Sequence, residues 1–223
     1  MTDQHGIIFD LDGVLVDSEQ WWDEIRRGVV AEYGGTWTDE ATTAMLGMST
    51  PEWADYLVSA LGVTLGPDEA ARTVVDRMAD RYAGGPPLLP GAVAAVRDAA
   101  RRTPVAIATS SPPRIIDAFL SGTRLGDVVT AAVSSEQVGA GKPDPAVYLT
   151  AADRIGVPAA RCVAIEDSTN GLRAALAAGT TVIAVPNPHF PPDPAVLARA
   201  AYRIGRLAEL PAALDRVQAS WSR

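Results

Sequence analysis

The apolar run Ile7-Ile8-Phe9 stops at a carboxylate, Asp10, and a second carboxylate, Asp12, follows two positions later, just before Gly13. A short β-branched and aromatic run bounded in this way reads as a buried strand. In extended chain, residues i and i+2 point the same way, so Asp10 and Asp12 can face one site where the strand opens into a loop. Charge at the end of a buried strand is costly unless a cation or a reaction offsets it. Two hard oxygen ligands suit Mg2+, which commonly takes one or two carboxylates together with substrate phosphate. A carboxylate can also be a phosphoryl-accepting nucleophile. A strand ending in an Asx turn would explain one acid and the glycine, but not both acids. An EF-hand loop wants Gly at position six and Glu at twelve, whereas counting from Asp10 puts Gly13 at four and Trp21 at twelve.

Further short apolar runs at 105–108, 128–133, 162–165 and 181–185, with a weaker one near 202–204, read as buried parallel strands. Helical patterns lie between them at 90–102, 112–120, 145–155 and 170–178, and another covers 207–221. This alternation predicts an α/β fold with a mostly parallel sheet. From about residue 18 to 84 the alternation breaks. That stretch holds helix-like patterns alone, at 20–33, 51–61 and 67–81, and ends in the linker-like Gly84-Gly85-Pro86-Pro87. The expected organisation is therefore core 1–17, helical insert 18–84 and core 85–223. An insert directly after the first strand would sit over the carboxyl ends of the strands, where open α/β sheets bind ligands.

The 223 residues are 48% hydrophobic, a globular composition. The net charge of -8 argues against nucleic acid as a partner, since phosphate backbones require a basic surface. A small phosphorylated metabolite needs only local positive charge. Cys162 is the only cysteine, which fits a reducing compartment. Neither a signal peptide nor an apolar run near the roughly 20 residues of a membrane span is visible. A cytoplasmic monomer without a membrane partner is the default expectation.

Three other segments end near the same place. Val105 to Ala108 runs into Thr109-Ser110-Ser111. A hydroxyl and backbone N–H groups at a strand end, ahead of a helix, can bind phosphate oxygens, although the serines and Pro112 could simply cap that helix. Gly141-Lys142-Pro143-Asp144-Pro145 holds a lysine in a turn stiffened by two prolines; its ammonium could neutralise a phosphate, or the turn could merely be exposed. Cys162 to Ile165 runs into Glu166-Asp167-Ser168, repeating the arrangement of the first strand, with a helix N-cap as the plainer alternative. Together, the four strand ends offer an acid pair, a hydroxyl, a lysine and a second acid pair, which is the equipment of phosphoryl transfer.

With these four motifs in order over nearly its whole length, the chain resembles the haloacid dehalogenase superfamily. It looks closest to the branch containing beta-phosphoglucomutase and small sugar-phosphate phosphatases, whose first motif is matched by Phe9-Asp10-Leu11-Asp12-Gly13-Val14-Leu15-Val16-Asp17-Ser18-Glu19. The resemblance implies a Rossmann-like parallel sheet as the core, with residues 18–84 as a helical cap inserted after the first strand, and an Mg2+-dependent phosphatase. It makes Asp10 the nucleophile and a metal ligand, and Asp12 the general acid and base with its main-chain carbonyl on the metal. Thr109 and the backbone at Ser110 would hold the phosphoryl group, and Lys142 would bridge that group and Asp10. Asp167 would ligate the metal, with Glu166 in support.

Within that superfamily, Asp12 disfavours a dehalogenase, which lacks the second acid. The absence of lysine between residues 18 and 84 disfavours a phosphonatase, which needs a cap lysine. A mutase of the branch carries a cap histidine where this chain has Trp22, and an arginine for the distal phosphate where the segment 46–50 places Thr50. The substitutions favour a phosphatase, with the mutase as the alternative and an inactive binding protein on the same fold as a remoter one. Trp22 and Thr50 are thus candidate substrate contacts, and Trp53 a weaker one; a helical tryptophan also commonly belongs to a core. His5 and His189 fall outside the motifs and are expected to be structural or exposed, whereas Cys162, within an apolar strand, is expected to be a core residue.

Overall fold

The computed structural model describes residues 5–45, 48–188 and 191–221; His189 and part of the segment 46–50 lie outside them. Six parallel strands form one sheet: β1 (Gly6–Phe9), β2 (Val105–Thr109), β3 (Ala131–Ser134), β4 (Cys162–Glu166), β5 (Thr181–Ala184) and β6 (Tyr202–Arg203). Their order is β3-β2-β1-β4-β5-β6. This is the expected Rossmann-like α/β sheet. The strand order reverses at β1 and β4, and such a switch point leaves a crevice at the strands' carboxyl ends.

Although the strands read as continuous apolar runs, their two faces differ. Ile7, Phe9, Val105, Ile107, Val163, Ile165 and Ile183 point to one side. There they meet α5 (Ala92–Ala100), α6 (Pro113–Thr123) and α10 (Leu210–Trp221). The other face carries Ile8, Ala106, Ala108, Ala164 and Ala184, and it packs on α7 (Ala146–Arg154) and α8 (Thr169–Ala177). Alanines on the second face let α7 and α8 lie close to the sheet. Cys162 is buried on that face, as expected of a core residue.

The strand expected at 128–133 starts at Ala131. Val128 and Val129 instead donate their N–H groups to the Leu125 carbonyl, closing a turn after α6. Their apolar side chains pack against the core without belonging to the sheet. The pattern at 207–221 resolves into a 3-10 turn at Leu207–Glu209 followed by α10. Two four-residue helices, α2 (Ala41–Ala44) and α9 (Pro194–Leu197), were below what periodicity can reveal.

Between β1 and α5 the chain contains α1 (Glu19–Glu32), α2, α3 (Thr50–Ser59) and α4 (Pro67–Ala83), with no strand among the described residues. Helices α1 and α3 pack on α4, and α4 packs on α6, where Arg114 and Asp76 form an ion pair at 2.7 Å. The chain leaves and re-enters the sheet region at one place. Val16 bridges Leu88 in antiparallel fashion. The Asp17 N–H donates to the Pro87 carbonyl at 2.8 Å, and the Leu89 N–H to the Leu15 carbonyl at 3.0 Å. None of the described helices is long and apolar enough to cross a membrane.

Phe119 sits fully buried where α6 meets the isoleucine-rich face. Phe119→Ala should cost about 3–5 kcal/mol, because the lost burial adds to an unfilled cavity; urea denaturation would measure it.

Candidate active site

The carboxyl ends of β1, β2 and β4, together with the loop after β3, converge on a cavity of about 430 Å3 lined by Asp10, Asp12, Thr109, Ser110, Lys142 and Asp167, among others. The register explains the convergence. Phe9 pairs with Ile107 on one side and Ile165 on the other, so Asp10, Ala108 and Glu166 lie level, one step further along. The Asp10 N–H extends the ladder, donating to the Ile165 carbonyl at 3.0 Å.

Lys142 is buried between two carboxylates, its Nζ 2.6 Å from Asp10 Oδ1 and 2.6 Å from Glu166 Oε1. The Tyr148 hydroxyl donates to the same Glu166 oxygen at 2.9 Å. The other Glu166 oxygen accepts from the Asp167 and Ser168 N–H groups at 2.9 and 3.1 Å, and from Ser168 Oγ at 3.2 Å. Five protein donors thus fill the Glu166 carboxylate, which anchors the lysine. Two glycines make room for this packing. A Cβ at Gly171 would lie 1.7 Å from Glu166 Oε1, and one at Gly13, whose φ is +83°, would lie 2.0 Å from Asp167 Oδ2.

Asp12 has neighbours of another kind. Its Oδ1 accepts from the Ser18 hydroxyl. Its Oδ2 accepts from Ser111 Oγ at 2.7 Å and Thr109 Oγ1 at 3.3 Å. The Thr109 hydroxyl is itself fixed by the Ser111 N–H at 2.9 Å. Three hydroxyls therefore hold the second aspartate, half-buried, over the cavity.

Charge is unevenly shared. Burial pushes the Asp10 carboxyl up to about 8, with Lys142 opposing the rise and Glu166 and Asp12 adding to it. Burial likewise raises Asp167 well above the ordinary carboxylate range, reinforced by Glu166 and Asp10. For Glu166 the penalty of burial is outweighed by Lys142, which holds it low. Lys142 in turn is raised by both carboxylates despite its burial. Oxygens of Asp10, Glu166 and Asp167 lie within 4.8 Å of one another. One ammonium among three carboxylates leaves negative charge uncompensated, and the uncommitted oxygens belong to Asp10 and Asp167. That all-oxygen donor set fits a hard divalent cation.

Of the sequence-predicted motif residues, Asp10, Asp12, Thr109, Ser110, Lys142 and Asp167 line this cavity, and Glu166 is buried behind it against Lys142. Trp22 and Thr50 line a second, adjoining cavity of about 100 Å3, together with Asp12, Glu19, Arg26 and Trp53. Trp22 and Trp53 are both buried, their ring centroids 6.3 Å apart, so each serves the core and the cavity wall at once. Thr50 is the first residue of α3. Thr50 itself carries no charge, and the cation that lines this cavity is Arg26 of α1. Burial pushes its guanidinium down to about 10, against the pull of Glu19. Burial and Asp12 push Glu19 up to about 6. Ser18, Ser111, Tyr148, Glu19 and Arg26 were missed in the sequence: Ser111 and Tyr148 act through contacts distant in the chain, and nothing local in Ser18, Glu19 or Arg26 shows that its side chain turns toward the cavity or Asp12. His5 stacks on Trp221 and plays no part here.

The profile of the haloacid dehalogenase-like hydrolases matches residues 5–179. The chain belongs to that family. Hexitol phosphatase B of Escherichia coli (strain K12) is 35% identical over 195 residues, spanning 84% of this chain and 86% of that protein. Among solved structures, a mutant of CbbY from Rhodobacter sphaeroides in complex with xylulose-1,5-bisphosphate has a TM-score of 0.81 at 26% identity, covering 93% of this chain and 96% of that one. A putative beta-phosphoglucomutase from Thermotoga maritima has a TM-score of 0.73 at 28% identity, covering 96% and 100%. As a member of the haloacid dehalogenase-like hydrolases, the chain is an enzyme, and both halves of the predicted branch are among its relatives.

Lys142→Met should destabilise the fold by about 3–5 kcal/mol, the usual cost of orphaning a buried charge. Without the ammonium, Glu166 and Asp10 take up protons on folding. Raised acids of that kind make the native state gain stability as pH falls. The deficit should therefore be larger at pH 8 than at pH 5 in paired urea titrations.

Proposed function

We propose that the protein is an Mg2+-dependent phosphatase that hydrolyses a small sugar or polyol phosphate through an aspartyl-phosphate on Asp10. One observation carries this reading. The Asp10 carboxyl lies 2.6 Å from a buried lysine, while a second carboxyl, two residues on, is held by three hydroxyls over the same cavity. The named relatives support the substrate class: one is a hexitol phosphatase, and a structural neighbour was crystallised with a sugar bisphosphate.

The roles follow from position. An Asp10 oxygen attacks phosphorus in line as the bond to the leaving oxygen breaks. Asp12, protonated, gives its proton to that oxygen, with Ser18, Ser111 and Thr109 fixing its direction. Thr109 and the backbone at Ser110 seat the phosphoryl group, and Lys142 neutralises it while restraining Asp10. In the second half, Asp12 takes a proton from water, which attacks phosphorus and displaces Asp10 as inorganic phosphate leaves. Such proton transfer typically contributes about 10²–10⁴-fold. Asp10, Asp167 and the Asp12 main-chain carbonyl would hold Mg2+, with Glu166 in support through Lys142 and the Asp167 N–H. The ion, when bound, neutralises charge on the phosphoryl oxygens. Residues 18–84 act as a cap, and the Val16–Leu88 ribbon is its hinge. Closure excludes water and opening admits substrate. The mutase reading is not favoured, because Trp22 stands where the mutase-like histidine would govern Asp12.

Chelation should abolish phosphate release from a hexitol monophosphate, and added Mg2+ should restore it. Asp10→Asn should lose roughly 10³-fold or more in turnover while keeping its fold. Near-wild-type release by purified Asp10→Asn would sink the mechanism.

Asp12→Asn should trap the intermediate. With acetyl phosphate the first step needs little acid, but nothing then activates water. Intact-mass spectrometry should show one added phosphoryl group on Asp12→Asn and none on the double variant that also carries Asp10→Asn.

A further inference from the structure

Two neighbouring arginines on α1 have different fates. Arg27 pairs with Asp23 at 2.6 Å, donates to Thr42 at 3.0 Å and lies over Trp37. Asp23 also accepts from Thr42 at 2.6 Å, so its carboxylate is committed. Arg26 is half-buried, its guanidinium carbon 5.1 Å from the centre of the Trp22 ring and 4.8 Å from that of Trp53. Its Nε is buried without a hydrogen-bond partner, and no carboxylate among the described residues forms an ion pair with it. Aromatic faces compensate a cation's charge, yet they do not satisfy the five N–H donors of a guanidinium. A buried donor left unmatched is a standing cost, and it marks Arg26 as a cation that the protein itself pairs incompletely.

The position of Arg26 says which ligand. It lines the smaller cavity, which shares Asp12, Glu19 and Ser110 with the phosphoryl cavity. A substrate whose ester oxygen lies at Asp12 would send its alcohol portion into this space. The roughly 100 Å3 is room for about three waters at ~30 Å3 each, the bulk of a short hydroxylated segment. Asp12 and Glu19 line the same walls, so a second phosphate, bringing about two further negative charges, would meet two carboxylates and a single guanidinium. A hydroxyl accepts and donates together, so it can take an N–H from Arg26 and give its O–H to Glu19, while C–H groups pack on the tryptophan faces.

We propose that Arg26 is a specificity-determining residue that recognises the hydroxyls of a neutral polyol or sugar leaving group, with Glu19 as the matching acceptor. The inference rests on the phosphatase reading above. It narrows the substrate to a hydroxylated monophosphate and rejects a bisphosphate of the same chain.

The test compares kcat/KM for a hexitol 6-phosphate with kcat/KM for p-nitrophenyl phosphate, which has no hydroxyls, in wild type, Arg26→Met and Arg26→Lys. Methionine preserves length and contact with the tryptophans. Hydrogen bonds from a charged donor are worth roughly 10- to 100-fold in binding. Arg26→Met should lower the hexitol-to-nitrophenyl ratio by about that factor, mainly through KM, and Arg26→Lys should recover part of it. Wild type should also prefer the hexitol 6-phosphate to the 1,6-bisphosphate. A ratio unchanged in an Arg26→Met enzyme that still turns over p-nitrophenyl phosphate overturns the role of Arg26 alone. A wild-type preference for the bisphosphate that vanishes in Arg26→Met overturns it too, making the site one for a distal anion. Wild type silent on both the hexitol 6-phosphate and p-nitrophenyl phosphate with Mg2+ overturns the phosphatase reading and this proposal with it.

Discussion

The structure turns on one ammonium group held between two carboxylates from different strands. Lys142 Nζ is 2.6 Å from both Asp10 and Glu166. Neither carboxylate could stay ionised in that buried place alone, and the lysine could not be buried without them. The consequence is mutual positioning. Glu166, filled by five donors including the start of α8, fixes Lys142. Lys142 then fixes Asp10. The strand order places β1 beside β4, so this chain of contacts spans the switch point of the sheet.

Around that pair, the two aspartates of the first loop have become different chemical objects. Asp10 sits in the ionic cluster, where burial dominates its protonation. Asp12 is two residues away, surrounded by neutral hydroxyls from Ser18, Ser111 and Thr109. Two carboxylates placed in contrasting surroundings are a recurrent way to divide a nucleophile's task from an acid's.

Much of this was legible in the sequence. A period of two places Asp10 and Asp12 on one side, and each apolar run that stopped at polar residues marked a strand's carboxyl end, so β1, β2, β4 and β5 were found close to their observed bounds. The region before β3 was misread because Val128 and Val129 are apolar for packing reasons while their backbone closes a turn. The cluster around Asp12 was only partly legible. Ser18 is 6 residues away and Ser111 99 residues away, and nothing local in either marks it as a partner. Arg26 was hidden in an ordinary Arg-Arg pair on an amphipathic helix, and only tertiary structure separates the arginine that pairs with Asp23 from the one that faces a cavity.

The lysine has one more consequence. The chain has 18 arginines and a single lysine, so wherever a surface cation served, arginine was used. A guanidinium is a wide planar fork, whereas an ammonium is a compact charge with donors in three directions. Between two carboxylates each 2.6 Å away, and beside the Tyr148 hydroxyl at 3.4 Å, only the compact shape fits. The sequence therefore offers amine-directed reagents one side-chain target, and that nitrogen is held between two carboxylates in the wall of the cavity. Acylation or reductive alkylation of this protein therefore reports on access to that cavity, read from a single side-chain nitrogen without any engineered label.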